Sequence, residues 1–94
     1  MSVYVIIPFH STDYPKWKEL FDEFAAKRES WGAEGYVLYR GLDDADAVAV
    51  VHHFADREGA ESFMNDPTVR TAVAYWNAPD MPEIHVYEEV ERAF

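Results

Sequence analysis

Two segments of eight residues, each apolar on both of its alternating faces, constrain the fold more than any other feature. They are Ser2–Phe9, which reads SVYVIIPF, and Ala47–Phe54, which reads AVAVVHHF. A strand with one face in water alternates apolar and polar residues, whereas a strand covered on both faces is apolar throughout. The pattern therefore predicts two strands of a sheet that is covered on both sides.

The segment between these two strands begins with signals that start a helix. Ser11, Thr12 and Asp13 offer capping oxygens, and Pro15 suits the first helical turn. A helix is predicted over Tyr14–Trp31. Its apolar residues at helical spacing are Trp17, Leu20, Phe21, Phe24 and Trp31. Because helical periodicity alone accounts for this stripe, it is interpreted as core packing that also lines any cavity, and not as a cofactor site.

The rest of the chain continues the alternation of strands and helices. Gly32 and Gly35 are signals that end the helix, a strand over Tyr36–Tyr39 stops at Gly41, and the acidic run Asp43–Asp46 predicts a hairpin turn. The later predicted elements are helices over Arg57–Asn65 and Pro67–Trp76, a loop over Asn77–Pro82 and a final strand within Ile84–Val90. The order β-α-β-β-α-β, with right-handed crossovers, predicts an α+β, ferredoxin-like sandwich over residues 1–94 as a single domain.

A four-stranded antiparallel sheet of this kind carries both helices on one face. The apolar strands then leave a second apolar face uncovered, which points to burial against another surface. A chain of 94 residues that folds alone buries only about two thirds of the surface its unfolded chain exposes, which leaves it marginally stable. We therefore expect a homodimer that forms through the sheet face.

Charge and composition narrow the classes of partner. Eighteen acidic residues against eight basic ones give a net charge of −10, which repels nucleic acid and anionic membrane surfaces. The absence of cysteine excludes disulfides and thiolate chemistry. The apolar run Val3–Phe9 is too short for a membrane helix and lacks the flanks of a signal peptide, so a cytoplasmic protein is expected.

Nothing in the chain matches a known cofactor motif. There is no P-loop, dinucleotide fingerprint, G-x-S-x-G or H-E-x-x-H sequence. The run Asp43–Asp46 offers too few ligands for a calcium loop. No cofactor and no metal are expected, so any catalysis would come from other side chains.

Strand direction sorts the four histidines into two pairs. His10 ends the first strand and His85 begins the last, which places both near the edge where the first helix starts. His52 and His53 lie near the opposite edge, close to Trp31. Because adjacent residues of a strand point to opposite faces, His52 and His53 cannot chelate one ion, and one of them is expected to face the helices. Each is either a proton-transfer group or a hydrogen-bonded structural residue.

The first edge is the richer candidate site. The residues expected around it are His10, Asp13, Tyr14, Arg40, Tyr75, Trp76, Asn77 and His85. Asp13 could orient His10 as a general base, and Arg40 or Asn77 could hold the resulting anion. In the alternative interpretation Asp13 caps the helix, Arg40 pairs with the acidic turn, and the aromatic residues are core.

The chain also resembles a known family over nearly its whole length. The residues that carry the resemblance are Asp13-Tyr14 with Trp17-Lys18 and Phe21-Asp22, Tyr39-Arg40, Phe54-Ala55-Asp56, Asn65-Asp66-Pro67, and Pro82-Glu83-Ile84 with Glu88-Glu89-Val90. They resemble the small dimeric α+β barrel proteins, which include antibiotic biosynthesis monooxygenase-like and cyclase-like domains. The resemblance implies a homodimer whose sheets face each other as a barrel, with a ligand cavity between each sheet and its helices.

The resemblance sets the functional expectations. Such proteins include cofactor-free oxygenases of aromatic polyketides, polyketide cyclases and haem-degrading enzymes; the last are disfavoured because Pro67–Trp76 lacks the histidine that ligates iron. We therefore expect a cofactor-independent monooxygenase or cyclase for a small hydrophobic or aromatic substrate. The candidate catalytic residues are His10, His52, Arg40 and Asp13, and the candidate substrate-binding residues are Trp31, Tyr75, Trp76, Asn77, His85 and Tyr14. The alternatives are a non-catalytic dimeric ligand-binding or stress-associated protein, and an interaction protein whose interior is filled by its own aromatic residues.

Overall fold

A computed structural model of the chain describes residues 2–78 and 83–93. Its elements are β1 (Val3–His10), α1 (Tyr14–Glu23), α2 (Ala25–Ser30), β2 (Ala33–Arg40), β3 (Ala47–Phe54), α3 (Arg57–Asn65), α4 (Pro67–Asn77) and β4 (His85–Glu88). The strands form one sheet in the order β2-β3-β1-β4, with antiparallel neighbours. The predicted α+β, ferredoxin-like architecture is confirmed.

The register of the sheet decides which side chains share a face. Val5 lies opposite His52 of β3 on one side and Val86 of β4 on the other, and His52 lies opposite Tyr36 of β2. Side chains alternate between faces along a strand. The four residues of this row therefore point to the same side of the sheet.

That side is covered by the helices. Val3, Val5 and Ile7 of β1 pack with Phe63 of α3 and Val73 of α4. A second cluster brings together Trp17 and Phe21 of α1 with Val48 and Val50 of β3. We refer to this side as the helix face and to the opposite side as the open face. The two clusters form the core between the sheet and one layer of helices.

The first helix is not continuous, contrary to the prediction over Tyr14–Trp31. It is broken at Phe24, whose backbone N–H donates to the carbonyl of Phe21 at 3.2 Å, three residues back. The Arg28 guanidinium donates to the same carbonyl at 2.7 Å. This side-chain donor takes part in satisfying a carbonyl at the end of α1, as helix ends require, and α2 restarts at Ala25.

Three other boundaries differ from the predictions. Gly32, at φ +83°, takes the left-handed conformation after α2, and β2 begins at Ala33, with a register shift between Ala33 and Gly35. Gly35 therefore lies within the strand and does not end the helix. Asn77 belongs to α4 and was not predicted there, and β4 covers His85–Glu88, a shorter span than the sequence indicates. The predicted loop residues 79–82 lie outside the described residues.

The capping signal before α1 acts as predicted, and an aspartate also caps α3. The Asp13 carboxylate accepts from the Lys16 backbone at 3.2 Å, and that of Asp56 accepts from Gly59 at 2.8 Å. The acidic turn is closed by the N–H of Gly41, which donates to the carbonyl of Ala47 at 2.9 Å. In the described part of the chain, no helix is long and apolar enough to cross a membrane.

Candidate functional site

A cavity lies between the helix face of the sheet and the helices. Residues from β1, β3 and all four helices line it: Ile7, Phe9, Trp17, Leu20, Phe21, Phe24, Arg28, His52, Phe63, Val69, Ala72, Val73 and Trp76. The cavity has about 470 Å³ of empty space when its open mouth is included. Within it, about 60 Å³ is far enough from every protein atom to hold the centre of a water molecule. A single water needs about 10–15 Å³ of such space, so the enclosed part holds a few atoms of a ligand and the mouth must hold the rest.

The walls are mostly aromatic. Trp17 stacks on Phe21 with ring centroids 5.1 Å apart, and Phe9 meets Trp17 edge-on at 5.3 Å. Such pairs hold each other in defined orientations. Planar apolar groups therefore fit this space better than flexible polar ones.

His52 is one of two polar side chains in the lining. It is 2% exposed, and its ring lies 4.8 Å from Phe63 and 6.1 Å from Phe21. Its Nδ1 atom finds no hydrogen-bond partner in residues 2–78 and 83–93. Burial, reinforced by the nearby positive charge of Arg28, lowers the pKa of His52 to about 3. The imidazole is therefore neutral near pH 7, with one nitrogen unsatisfied.

Arg28 is the other polar side chain in the lining. It is 6% exposed, and its guanidinium carbon lies 4.0 Å from the ring centre of Phe21 and 5.2 Å from that of Tyr36. Within the described residues, its single hydrogen bond is the one to the Phe21 carbonyl, and no carboxylate forms an ion pair with it. Burial lowers the pKa of Arg28, but a guanidinium stays charged in proteins. The cavity thus holds a cation that forms no close ion pair with those residues, while the carboxylates of Asp22 and Glu29 act on it from a greater distance.

Of the site residues predicted from the sequence, two line the cavity. They are His52 and Trp76. Trp31 lies beside the cavity in the core, edge-on to Phe63 at 6.1 Å. Tyr75 is largely exposed and meets Trp76 edge-on at 5.3 Å. Of these three predicted aromatic residues, Trp76 therefore lines the cavity, whereas Trp31 and Tyr75 lie outside it.

Two predicted residues, Asp13 and Asn77, form hydrogen bonds with the backbone. Asp13 caps α1, as the alternative interpretation proposed. The Nδ2 atom of Asn77 donates to the carbonyls of Pro8 at 3.1 Å and Val73 at 2.9 Å, which ties α4 to β1. The Asn77 amide is thereby committed to the backbone and does not line the cavity.

Arg40 does not pair with the acidic turn. Its guanidinium carbon lies 4.3 Å from the ring centre of Tyr14, and Tyr14 in turn stacks on Trp17 at 5.8 Å. Among the described residues, no carboxylate forms an ion pair with Arg40. The interpretation of Arg40 as a partner of the turn is therefore wrong, and its guanidinium packs instead on the face of the Tyr14 ring.

The remaining histidines lie on the open face. His10 follows Phe9, which faces the helices, so its exposed side chain points away from the cavity. His85 lies opposite Ile6 in the register, four residues from His10, or about 13 Å along β1. His53 faces the open side, as expected from its neighbour His52, and stacks on Tyr4 at 4.9 Å. The catalytic role predicted for His10 stays a prediction, without a place in this cavity.

Sequence reasoning missed Arg28, although a signal was present. Trp17, Phe21 and Phe24 continue at the same helical spacing through Arg28 to Trp31. A charged residue inside an apolar stripe is expected to be buried, and charged residues are rarely buried unless they are paired. The interruption of the stripe pointed to this residue.

The chemistry open to this arrangement is limited. A neutral imidazole can accept or donate a proton, a guanidinium can hold an oxyanion, and apolar walls strengthen both interactions by excluding water. Over residues 2–78 and 83–93, no three histidine, aspartate or glutamate side chains are grouped to hold a metal ion. The lining is suited to acid–base chemistry on a planar apolar molecule.

Comparison with known proteins identifies the fold. No family model matches the chain, and no curated protein matches it in sequence. Among solved structures it is similar to SnoaB, a cofactor-independent oxygenase from Streptomyces nogalater (14% identity, TM-score 0.74, covering 97% of this chain and 95% of that one). It is also similar to Rv0793 from Mycobacterium tuberculosis (16%, TM-score 0.70, 100% of both chains).

A further structure, of an antibiotic biosynthesis monooxygenase, matches at 16% identity with a TM-score of 0.66, covering 97% of this chain and all of that one. Matches over nearly complete chains at such low identity reflect a common backbone arrangement, while active-site chemistry can differ between proteins that share a fold. As the sequence resemblance indicated, the chain has the fold of the antibiotic biosynthesis monooxygenase-like proteins.

Proposed function

We propose that the protein is a cofactor-independent monooxygenase-type enzyme that acts on a small aromatic substrate bound between the sheet and the helices. The observation that carries the proposal is the neutral, buried His52, whose unpartnered Nδ1 atom lies among aromatic walls. A buried polar atom without a protein partner calls for an explanation such as a ligand or a catalytic role. The fold likeness to SnoaB, a cofactor-independent oxygenase, supports the same reaction class.

The proposed reaction needs no external reductant. A phenolic substrate such as 1-naphthol passes its hydroxyl proton to a ring nitrogen of His52 as the naphtholate forms beside Arg28. The new negative charge is stabilised by the guanidinium and offsets the positive charge that helps to keep the pKa of His52 low. The electron-rich naphtholate donates electrons to dioxygen, and a carbon–oxygen bond forms at the ring carbon opposite the oxyanion. The proton held by His52 then passes to the distal oxygen, which gives a hydroperoxide and returns His52 to its neutral form. The hydroperoxide then loses water across its O–O and C–H bonds and leaves 1,4-naphthoquinone. One dioxygen is consumed, one of its atoms enters the product, and the other leaves as water.

Oxygen uptake with 1-naphthol tests the proposal. The wild-type protein is expected to consume one dioxygen per quinone formed, at a rate above that of spontaneous oxidation. His52→Leu should lower the catalysed rate by about 100-fold or more, the usual contribution of a general base. His53→Leu is the matched control on the other face and should retain the rate. Equal rates for wild type and His52→Leu would reject a catalytic His52.

A second function is favoured by a specific observation. A pKa of about 3 makes His52 a weak base toward a phenol. This property suits a non-catalytic ligand-binding protein. In that case 1-naphthol would bind without any oxygen uptake above the spontaneous rate, which separates the two functions in the same assay.

We further propose that the protein works as a homodimer through the open face. Val37 and Tyr39 of β2 and Tyr87 of β4 are 49%, 56% and 53% exposed on this face, and Ile6 and Val51 lie between them on the central strands. Contiguous exposed apolar residues of this kind mark interaction surfaces. A second copy of the same sheet offers matching apolar side chains and few charges.

A further inference from the structure

The Arg28 guanidinium is a buried charge with one hydrogen bond and no ion pair in the described part of the chain. It is held on the cavity wall by the Phe21 and Tyr36 rings and by one hydrogen bond. A guanidinium carries five N–H donors in a planar fork. One donor is used, and no carboxylate of the described residues forms an ion pair with the group. The Arg28 guanidinium therefore has unused N–H donors at a site with little solvent.

His52 adds a second donor in the same cavity. Both side chains lie against the Phe21 ring, Arg28 at 4.0 Å and His52 at 6.1 Å. A neutral imidazole has one N–H donor and one acceptor nitrogen. The charge of Arg28 is felt at His52, whose pKa it helps to lower. An oxyanion bound to Arg28 would therefore also interact electrostatically with the His52 ring.

The rest of the lining determines what the oxyanion must be attached to. Apart from Arg28 and His52, the side chains are aliphatic or aromatic, including Trp17, Phe24 and Trp76. Burying an isolated cation is costly, and a ligand anion that pairs with it in a low-dielectric site removes that cost. The planar fork matches a carboxylate or phenolate better than a single point charge would.

We propose that Arg28 and His52 form an anion-recognising end of the cavity, which selects planar aromatic ligands bearing an oxyanion over their neutral counterparts. This assignment rests on the proposed function, because it requires that the cavity bind a ligand. The assignment goes beyond the proposed function because it names the charge of the ligand and the residue that recognises that charge. The selection is local, since the chain as a whole carries a charge of −10 and repels anions at long range.

Benzoate and benzamide provide the test, because they have the same shape and differ in charge. Isothermal titration of the wild-type protein should show benzoate binding about tenfold more tightly or better, the discrimination expected from a hydrogen bond to a charged group. Arg28→Gln keeps a donor for the Phe21 carbonyl and removes the charge, so the ratio should fall to about one. Arg28→Lys, which keeps the charge without the fork, should give an intermediate ratio.

Arg57→Gln is the matched control, since Arg57 is an exposed arginine on α3, paired with Glu61, and does not line this cavity. It should leave the ratio of the two affinities at the wild-type value. A preference for benzoate that survives in Arg28→Gln, or that falls equally in Arg57→Gln, would overturn the assignment.

Two further outcomes separate this inference from the proposed function. Equal affinities of wild type for benzoate and benzamide would overturn the inference while leaving a ligand-binding cavity in place. Binding of neither probe would overturn it together with the premise of the proposed function. If Arg28→Gln does not fold, NMR of the wild-type protein decides: the Arg28 side-chain Nε–H signal should shift with benzoate and not with benzamide, and no shift with benzoate contradicts the assignment.

Discussion

The two faces of the sheet differ most clearly at His52 and His53, which are adjacent in β3. His52 points into the cavity beneath the helices, where burial and Arg28 lower its pKa to about 3. His53 points to the open face and stacks on the Tyr4 ring. Each has a buried ring nitrogen without a hydrogen-bond partner among the described residues. One peptide bond thus separates a histidine enclosed by its own chain from one on a face that its own helices do not cover.

This difference shows how one strand serves two purposes. Val48, Val50 and Phe54 alternate with Ala47, Ala49 and Val51, so the even-numbered residues fill the core and the odd-numbered ones form the open face. Because the side-chain period of a strand is two residues, a single run of apolar residues supplies both surfaces. The cavity chemistry therefore depends on one set of residues and the proposed assembly on the other.

The largest expected effect comes from placing the same charge on each face. Val50→Asp buries a carboxylate in the core and should lower the free energy of unfolding by about 4 kcal/mol or more, which leaves little folded protein. Val51→Asp should fold, with a circular dichroism spectrum like that of wild type. Light scattering during size exclusion should show a dimer for wild type and a monomer for Val51→Asp. A wild-type monomer at micromolar concentration would remove the proposed dimer.

The next effect is the pH dependence contributed by His52. Its pKa is about 3 in the folded chain and about 6.5 when unfolded, so the unfolded state binds the proton more readily. Its contribution to stability is complete above pH 6.5 and is lost as pH falls toward 3. Between pH 7 and pH 4 this loss amounts to about 3 kcal/mol.

Urea denaturation at several pH values measures this contribution. Wild type should lose about 3 kcal/mol more than His52→Leu between pH 7 and pH 4, because leucine has no proton to bind. His53→Leu, the neighbouring substitution, should keep the wild-type dependence on pH. Parallel curves for wild type and His52→Leu would show that His52 is not held neutral by the fold.

The smallest expected effect concerns His10. Its side chain is exposed on the open face, so His10→Ala should change the free energy of unfolding by less than about 0.5 kcal/mol. The affinity for benzoate should also stay within a factor of two, roughly the effect of such a small change in free energy. A large loss of affinity would indicate that ligands bind across both faces, contrary to the separation seen here.

Much of the fold could be predicted because its signals are local. Apolar strands, capping aspartates and a helix-starting proline each act within a few residues, and the aspartates at positions 13, 56 and 66 all cap helices. Periodicity also assigned His52 and His53 to opposite faces, because alternation along a strand needs no knowledge of the rest of the chain. The continuous first helix was wrong because the Arg28 side chain competes for a backbone carbonyl seven residues away.

The site was predicted less well, since it depends on which distant residues meet. His10 and Arg40 lie at the same end of the sheet, opposite Ala47 and Val48, but His85 lies opposite Ile6, near the middle of β1. Register and pleat also place His10 and His85 on the open face. Asn77 and Arg40 were sensible candidates by residue type. The Asn77 side chain donates to the carbonyls of Pro8 and Val73, and the Arg40 guanidinium packs on the Tyr14 ring. No local sequence pattern predicts these contacts.

The order of strands and helices, the two apolar faces of the sheet and the residues that alternate between them can be read from the amino-acid sequence, because they follow from backbone geometry and hydrophobic periodicity. The break of the helix at Phe24 and the burial of Arg28 on the cavity wall depend on three-dimensional packing. The same packing lowers the pKa of His52. Charge burial and pKa depend on the atoms that surround a group in space, and those atoms come from elements far apart in the chain.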